Sequence, residues 1–94
     1  MTDGYPDDED LDYLKNSSFE GLKSFEEIKI LFEATGYSNC RIERDTGKWV
    51  LTLSTGGWSG CEEMIGALMR NFVWWGKHWY STQRGGLYIF ECEE

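Results

Sequence analysis

The chain has 94 residues, which is the length of one small domain. Its formal net charge of −8 repels nucleic acid backbones and favours basic partners, which argues against ordinary DNA or RNA binding, since that needs a basic face. Its three cysteines have no C-x-x-C spacing, which fits a reduced cytosolic protein better than a disulfide scaffold or a zinc site.

The acidic residues are concentrated near the N-terminus. Residues 1–37 carry ten acids and three bases, whereas residues 38–94 carry seven acids and six bases. We therefore predict an acidic, partly disordered arm over residues 1–20, with one docked helical turn near Leu11 to Leu14, and a single domain over residues 21–94. The N-terminus lacks the basic and apolar regions of a signal peptide, and no apolar run reaches membrane-spanning length.

The first helix is predicted to start at Ser24, which forms an S-x-x-E capping box with Glu27. Four apolar residues at helical spacing follow: Phe25, Ile28, Leu31 and Phe32. Gly36 is a suitable stop. A β-hairpin is predicted next, because Asp45-Thr46-Gly47 is a turn signal between residues 41–44 and an alternating run over 49–54.

The segment Ser54-Thr-Gly-Gly-Trp-Ser-Gly-Cys-Glu62 joins this hairpin to a second helix. Ser59 and Glu62 have capping-box spacing, so the helix is predicted over residues 60–70. Its apolar stripe has helical periodicity and consists of Cys61, Met64, Ile65, Leu68 and Met69.

The aromatic run Phe72–Tyr80 is predicted to be a strand, followed by a turn over residues 82–86 and a last strand over 87–92. The predicted fold is therefore α+β: helix, hairpin, helix, hairpin, with a four-stranded antiparallel sheet and two helices packed on one face. The other sheet face is expected to be open and to carry large aromatics. Such a face is typical of an interaction surface or a homodimer interface.

A ligand site is one interpretation of the second helix start. Free helix amides can hold an anion, and the residues for such a site are Gly57, Trp58, Ser59, Gly60 and Arg84. However, Glu62 and Glu63 already place two negative charges in the first turn. A structural strand-to-helix turn is the competing interpretation.

The sequence indicates catalysis and metal binding less clearly than it indicates a ligand site. Cys61 near a helix start could be a nucleophile with His78 as its base, but it lies on the apolar stripe, where a small core residue is wanted. His78 is the single histidine and has no ligand partners at metal-binding spacing. We therefore expect no enzyme, no metal and no cofactor.

A longer pattern lies within residues 49–91 and begins at Gly56. It consists of Gly56-Gly57-Trp58-Ser59-Gly60, Glu62, Trp75, Trp79, Ser81, Arg84-Gly85-Gly86, Tyr88 and Phe90-Glu91. With this pattern the second half resembles a family of small uncharacterised proteins encoded by bacteriophages and prophages. The resemblance implies a phage accessory protein in the bacterial host cytoplasm, and it implies no activity. Many relatives have Asn at the position of Cys61, which argues against a catalytic thiol.

Two functions follow as hypotheses. The first is a non-catalytic inhibitor of a host defence complex of the CRISPR or restriction type, whose acidic surface mimics nucleic acid and fills a basic groove. Its partner-binding residues would be Asp7, Asp8, Glu9, Asp10, Asp12, Glu26, Glu27, Glu33, Trp75, Trp79 and Arg84. The alternative is a small-ligand module that sequesters a nucleotide signal, with Trp58 stacking on the base. Direct nucleic acid binding and membrane binding are not expected.

Overall fold

A computed structural model describes residues 4–93. It contains four helices: α1 (Asp8–Asn16), α2 (Gly21–Glu33), α3 (Ser59–Arg70) and α4 (Phe72–His78). It contains four strands: β1 (Asn39–Asp45), β2 (Lys48–Ser54), β3 (Trp79–Gln83) and β4 (Leu87–Glu93). None of the helices within residues 4–93 has the length and apolar content that crossing a bilayer requires.

The strands form one antiparallel sheet in the order β1-β2-β4-β3, which confirms the predicted α+β class and four-stranded sheet. β2 alternates as predicted, with Leu51 and Leu53 buried on the helix side. The register pairs Leu51 with Phe90 and Leu53 with Tyr88, so β4 continues the same buried row. The core therefore lies between this row and the helices.

The predicted strand over residues 72–80 is wrong for most of its length, because residues 72–78 form α4. Asn71 caps this helix, since its side-chain oxygen accepts a hydrogen bond from the Trp74 amide at 3.3 Å. Trp74 and His78 are four residues apart and both are buried, which is a helical pattern. The aromatic composition of this segment favours a strand, but the burial of Trp74 and His78 in the core stabilises a helix instead.

Both predicted capping boxes are wrong. α2 begins three residues before Ser24, whose buried hydroxyl donates to the Gly21 carbonyl and accepts from Trp74 Nε1 at 2.9 Å. α3 has Trp58 at its N-cap, and the Glu62 side chain makes other bonds. A capping box does form at α1, between Asp7 and Asp10.

The predicted arm contains a longer helix than expected. α1 buries Leu14 completely, and its C-terminal end is held by Asn71, whose side-chain amide donates to the carbonyls of Leu14 and Ser17 at 2.9 Å each. Residues 8–16 are thus packed onto α3 as part of the core. Residues 1–3 of the predicted arm lie outside the described chain.

The open sheet face is not aromatic, contrary to expectation. From the register, this face carries mainly polar and small aliphatic side chains, such as Thr52, Ser54, Val50 and Ile89. Tyr80 is its aromatic residue, and the ammonium group of Lys48 lies 5.9 Å from the centre of the Tyr80 ring. The exposed aromatic and large aliphatic residues are found mainly around the helices instead.

Candidate functional site

The turn after β2 and the turn before β4 meet at one hydrogen-bonded group. The amide of Thr55 donates to the Gly86 carbonyl at 2.8 Å. The Thr55 hydroxyl donates to Glu62 Oε2 at 2.7 Å and accepts from the Gly57 amide at 3.1 Å. The Tyr88 hydroxyl donates to Glu62 Oε1 at 3.0 Å. Burial and the neighbouring Glu62 carboxylate raise the pKa of Tyr88.

Two glycines of this region pack too closely for a side chain. A β-carbon at Gly86 would lie 2.2 Å from Thr55 Oγ1, and one at Gly60 would lie 2.2 Å from the Trp58 ring. The glycines of G-G-W-S-G and R-G-G-x-Y are therefore explained by close packing where the two turns meet the start of α3. This geometry supports the interpretation of this segment as a structural strand-to-helix turn.

The turn that carries Arg84 contacts the turn before α3 through Gly86, but most of the predicted ligand residues are engaged in other contacts. The Trp58 ring stacks on Tyr37 with centroids 4.3 Å apart and contacts Tyr5 at 4.7 Å. Gly57 is engaged with Thr55, and Ser59 lines a different hollow, between α1 and α3. Arg84 is exposed in the turn between β3 and β4, and its side chain has no hydrogen bond or ion pair within residues 4–93.

Cys61 and His78 do not form a catalytic pair. Cys61 is fully buried, and its sulfur lies 3.5 Å from the Thr35 hydroxyl. His78 is the last residue of α4 and is bound on both ring nitrogens. Nε2 accepts from the Gly21 amide at 3.3 Å, and Nδ1 lies 3.0 Å from the Glu91 carbonyl. Since a carbonyl only accepts, Nδ1 carries the proton and the ring is neutral. Burial lowers the pKa of His78.

The acidic residues of the N-terminal region stand on an ordered helix. Asp8, Glu9 and Asp10 lie in the first turn of α1, where the helix dipole favours negative charge. No side-chain hydrogen bond or ion pair involves Asp8, Glu9 or Asp12 in the part of the chain that the structure describes. Asp7 and Asp10 form the capping box. Hydrogen bonding to the Asp10 amide is the main reason that the pKa of Asp7 is lowered.

Acids from the flanking helices extend this group on both sides. Asp8 and Asp12 line the hollow between α1 and α3 together with Glu63. On the other side Asp10 lines a hollow with Glu27, which accepts a hydrogen bond of 2.7 Å from the Tyr13 hydroxyl. We call this group the acidic surface, and it comprises Asp8, Glu9, Asp10, Asp12, Glu27 and Glu63.

Several predicted partner residues lie elsewhere. At 100° per residue, Glu26 and Glu33 lie on the flank of α2 that faces away from Glu27, and Glu33 is paired with Lys29. Trp75 is half-buried against Phe90 on α4, so it is not an exposed hairpin residue. Trp79 is exposed and begins β3.

The sequence did not predict that acidic side chains lie at one end of α1 and α3, while basic and exposed apolar side chains lie at the other end. The two helices run parallel, because Gly4 lies beside Trp58 at their starts and Asn71 binds Leu14 near their ends. Acids occupy both first turns, whereas Lys15 and Arg70 occupy the last turns. Exposed apolar side chains from the end of α3 and the start of α4 lie beyond this basic end. Their position on a helix was not predicted, because residues 72–80 were predicted to form a strand.

Among residues 4–93, no group of three or more His, Cys, Asp or Glu side chains is arranged to hold a metal ion. Comparisons of the chain with protein-family models, with curated proteins and with solved structures found no match.

Proposed function

We propose that this protein is a non-catalytic inhibitor that binds a host nucleic-acid-handling defence complex, of the CRISPR or restriction type, in the bacterial cytoplasm. Its acidic surface would occupy a basic groove that normally holds nucleic acid. The observation that carries the proposal is the set of carboxylates on α1 that have no partner within the described chain, Asp8, Glu9 and Asp12. The resemblance to phage-encoded proteins supports the choice of target.

The density of charge on α1 is close to that of a nucleic acid. Four carboxylates between residues 8 and 12 span about 6 Å of helix axis, which is about one charge per 1.5 to 2 Å. A DNA duplex carries about one negative charge per 1.7 Å. Over this short length, a groove that neutralises phosphates meets a comparable row of carboxylates.

The acids are held in place before binding. Leu14 is buried and Asn71 fixes the end of α1, so the helix loses little further conformational freedom on binding. A groove built for a stiff polyanion is matched better by a docked helix than by a loose acidic tail. Electrostatic attraction of this kind raises the association rate and weakens as salt concentration increases.

The alternative functions have less support. The Trp58 ring needed to stack a nucleotide already packs against Tyr37 and Tyr5. The Cys61 thiol needed for covalent catalysis is fully buried, so substrate cannot reach it without local opening.

The test compares two triple variants with the same change in net charge. Variant one, Asp8→Asn, Glu9→Gln and Asp12→Asn, neutralises the acidic surface but leaves the capping residues Asp7 and Asp10 unchanged. Variant two, Glu26→Gln, Glu33→Gln and Asp45→Asn, removes three acids elsewhere. Tagged proteins are used to capture host proteins from bacteria, and affinity for a captured partner is measured over a range of salt concentrations.

The proposal expects wild type and variant two to retain a nucleic-acid-binding partner. Variant one should bind at least about tenfold more weakly, with a flatter salt dependence. Equal binding by both variants would refute the role of the acidic surface. An equal loss of binding by both variants would mean that binding depends on net charge and not on the acidic surface.

A further inference from the structure

Three neighbouring apolar side chains project from the junction of α3 and α4. Phe72 is 80% exposed, Val73 71% and Met69 50%. α4 buries Trp74 and His78 on its other side, so these residues do not serve the core. We call Met69, Phe72 and Val73 the apolar knob. A projecting aromatic surrounded by aliphatic groups is typical of a protein contact.

The residues around the knob are basic. Arg70 lies between Met69 and Phe72 in the chain, and Lys15 lies in the last turn of the neighbouring helix α1. Neither side chain makes a hydrogen bond or ion pair within residues 4–93. A partner surface that covers the knob would therefore be electrostatically complementary to it if carboxylates lay at the edge of that surface.

The same chain carries a surface with this complementary chemistry. Between α1 and α2 lies a shallow hollow of about 310 Å³, formed by Tyr13, Ile30 and Leu31. Its rim carries the carboxylates of Asp10 and Glu27. Ile30 is 68% exposed, although it belongs to a helix whose other apolar side chains are mostly buried. We call this site the apolar hollow.

The knob and the hollow lie on either side of the C-terminal half of α1. Tyr13 of the hollow precedes Leu14, whose carbonyl accepts a hydrogen bond from Asn71, and Asn71 directly precedes Phe72 of the knob. Two sites so close together allow two copies related by a two-fold axis to make the same contact twice. The same knob-and-hollow contact without a two-fold axis would instead build rings or open chains.

We propose that the apolar knob of one copy binds in the apolar hollow of a second copy, and that two such contacts form a two-fold dimer. Phe72 enters beside Ile30 and Leu31, while Arg70 and Lys15 face Asp10 and Glu27 of the other copy. The inference does not depend on the proposed function. Asp8, Glu9 and Asp12 do not line the hollow, whereas Asp10 and Glu27 of the acidic surface do.

The test is a mixing experiment followed by native mass spectrometry and sedimentation velocity. Wild type should be a dimer, whereas Phe72→Ser and Ile30→Ser should each weaken dimerisation by about 30-fold or more. Mixing the two variants should restore a heterodimer. The Ile30→Ser copy supplies an intact knob and the Phe72→Ser copy supplies an intact hollow, so one of the two contacts survives.

Controls separate the contact from effects on folding. Tyr80→Ser removes another exposed aromatic, 61% exposed, from the open sheet face and should leave the dimer intact. Circular dichroism should show both contact variants folded, since their side chains are mostly exposed; if Phe72→Ser fails this check, Val73→Ser replaces it in the mixture. A wild-type monomer at the highest soluble concentration would overturn the proposal. So would a Phe72→Ser or Ile30→Ser variant that dimerises as tightly as wild type, or a mixture that stays monomeric.

Discussion

Gly86 and Thr55 join the two halves of the sheet through a contact that leaves no space for a side chain. The Gly86 carbonyl accepts a hydrogen bond of 2.8 Å from the Thr55 amide, and a β-carbon on Gly86 would lie 2.2 Å from Thr55 Oγ1. The same β-carbon would lie 2.8 Å from the Gly57 nitrogen, which is backbone and cannot swing away. The turn after β2 and the turn before β4 are thus in direct contact.

Gly86→Ala should strongly destabilise the fold. The residue has φ +79°, so alanine adds left-handed strain of about 1 kcal/mol as well as a steric clash of about 1–3 kcal/mol. Gly85→Ala is the matched control, because Gly85 has φ +86° and, apart from its chain neighbours, no atom of residues 4–93 lies within 4 Å of its β-carbon position. Urea denaturation should give a clearly larger loss for Gly86→Ala. Equal losses would mean that backbone strain alone matters.

Asn71→Ala should release α1. The substitution removes two bonds to the carbonyls of Leu14 and Ser17 and the cap of α4, a loss of about 2–4 kcal/mol. Hydrogen exchange should rise most in α1 and α4. Asn16→Ala makes the same chemical change at an exposed position and should leave exchange in α1 unchanged or slower. Uniform acceleration across the sheet in Asn71→Ala would contradict a local role.

His78 should make folding sensitive to mild acid. Burial lowers its pKa in the folded state below the ordinary value of 6.5, so the unfolded chain binds the proton first. Stability is therefore complete above about pH 6.5 and falls as pH decreases toward the folded-state pKa, by at most about 1.4 kcal/mol per pH unit. The protonated ring would also lose the bond from the Gly21 amide.

Unfolding free energies measured between pH 7.5 and about 5.5 test this sign, because carboxylates titrate mainly below this range. His78→Ala should be less stable at neutral pH but should have a flatter profile. If the variant keeps the wild-type slope, the pH dependence belongs to other groups.

The three cysteines should be inert in the folded protein. Burial raises the pKa of Cys40 to about 11 and also raises the pKa of Cys92, while Cys61 is fully buried. A thiol-specific reagent at pH 8 should therefore label them slowly in water and rapidly in denaturant, since only exposed thiolates react. Rapid labelling of one cysteine under native conditions would reveal an accessible thiol.

The sequence predicted those elements whose periodicity is set by a single buried face. The apolar stripe of α3 and the alternation of β2 belong to this class, and both elements were found within one residue of their expected limits. The acids near the N-terminus were also visible in the sequence. Their helix was underestimated, because its support comes from Asn71, which lies 57 positions along the chain from Leu14.

The errors have a common cause in long-range contacts. Ser24 and Glu62 have the spacing of helix caps, but Ser24 binds Trp74 and Glu62 binds Thr55 and Tyr88. A polar side chain with several available partners bonds to the one that tertiary packing brings near. The aromatic run at residues 72–78 shows the same effect, since burial of Trp74 and His78 outweighs β-propensity.

The position of β4 between β2 and β3 has a consequence for how the protein folds during synthesis. Only the β1–β2 hairpin pairs neighbouring segments before residue 87, because β2 and β3 each need β4 as their partner. Ribosomes add about 5–20 residues per second, so the earlier segments wait for seconds with their apolar faces uncovered. The sheet then closes in a step that follows translation of residues 87–93, and a nascent chain stalled before this point lacks the strand that completes its core.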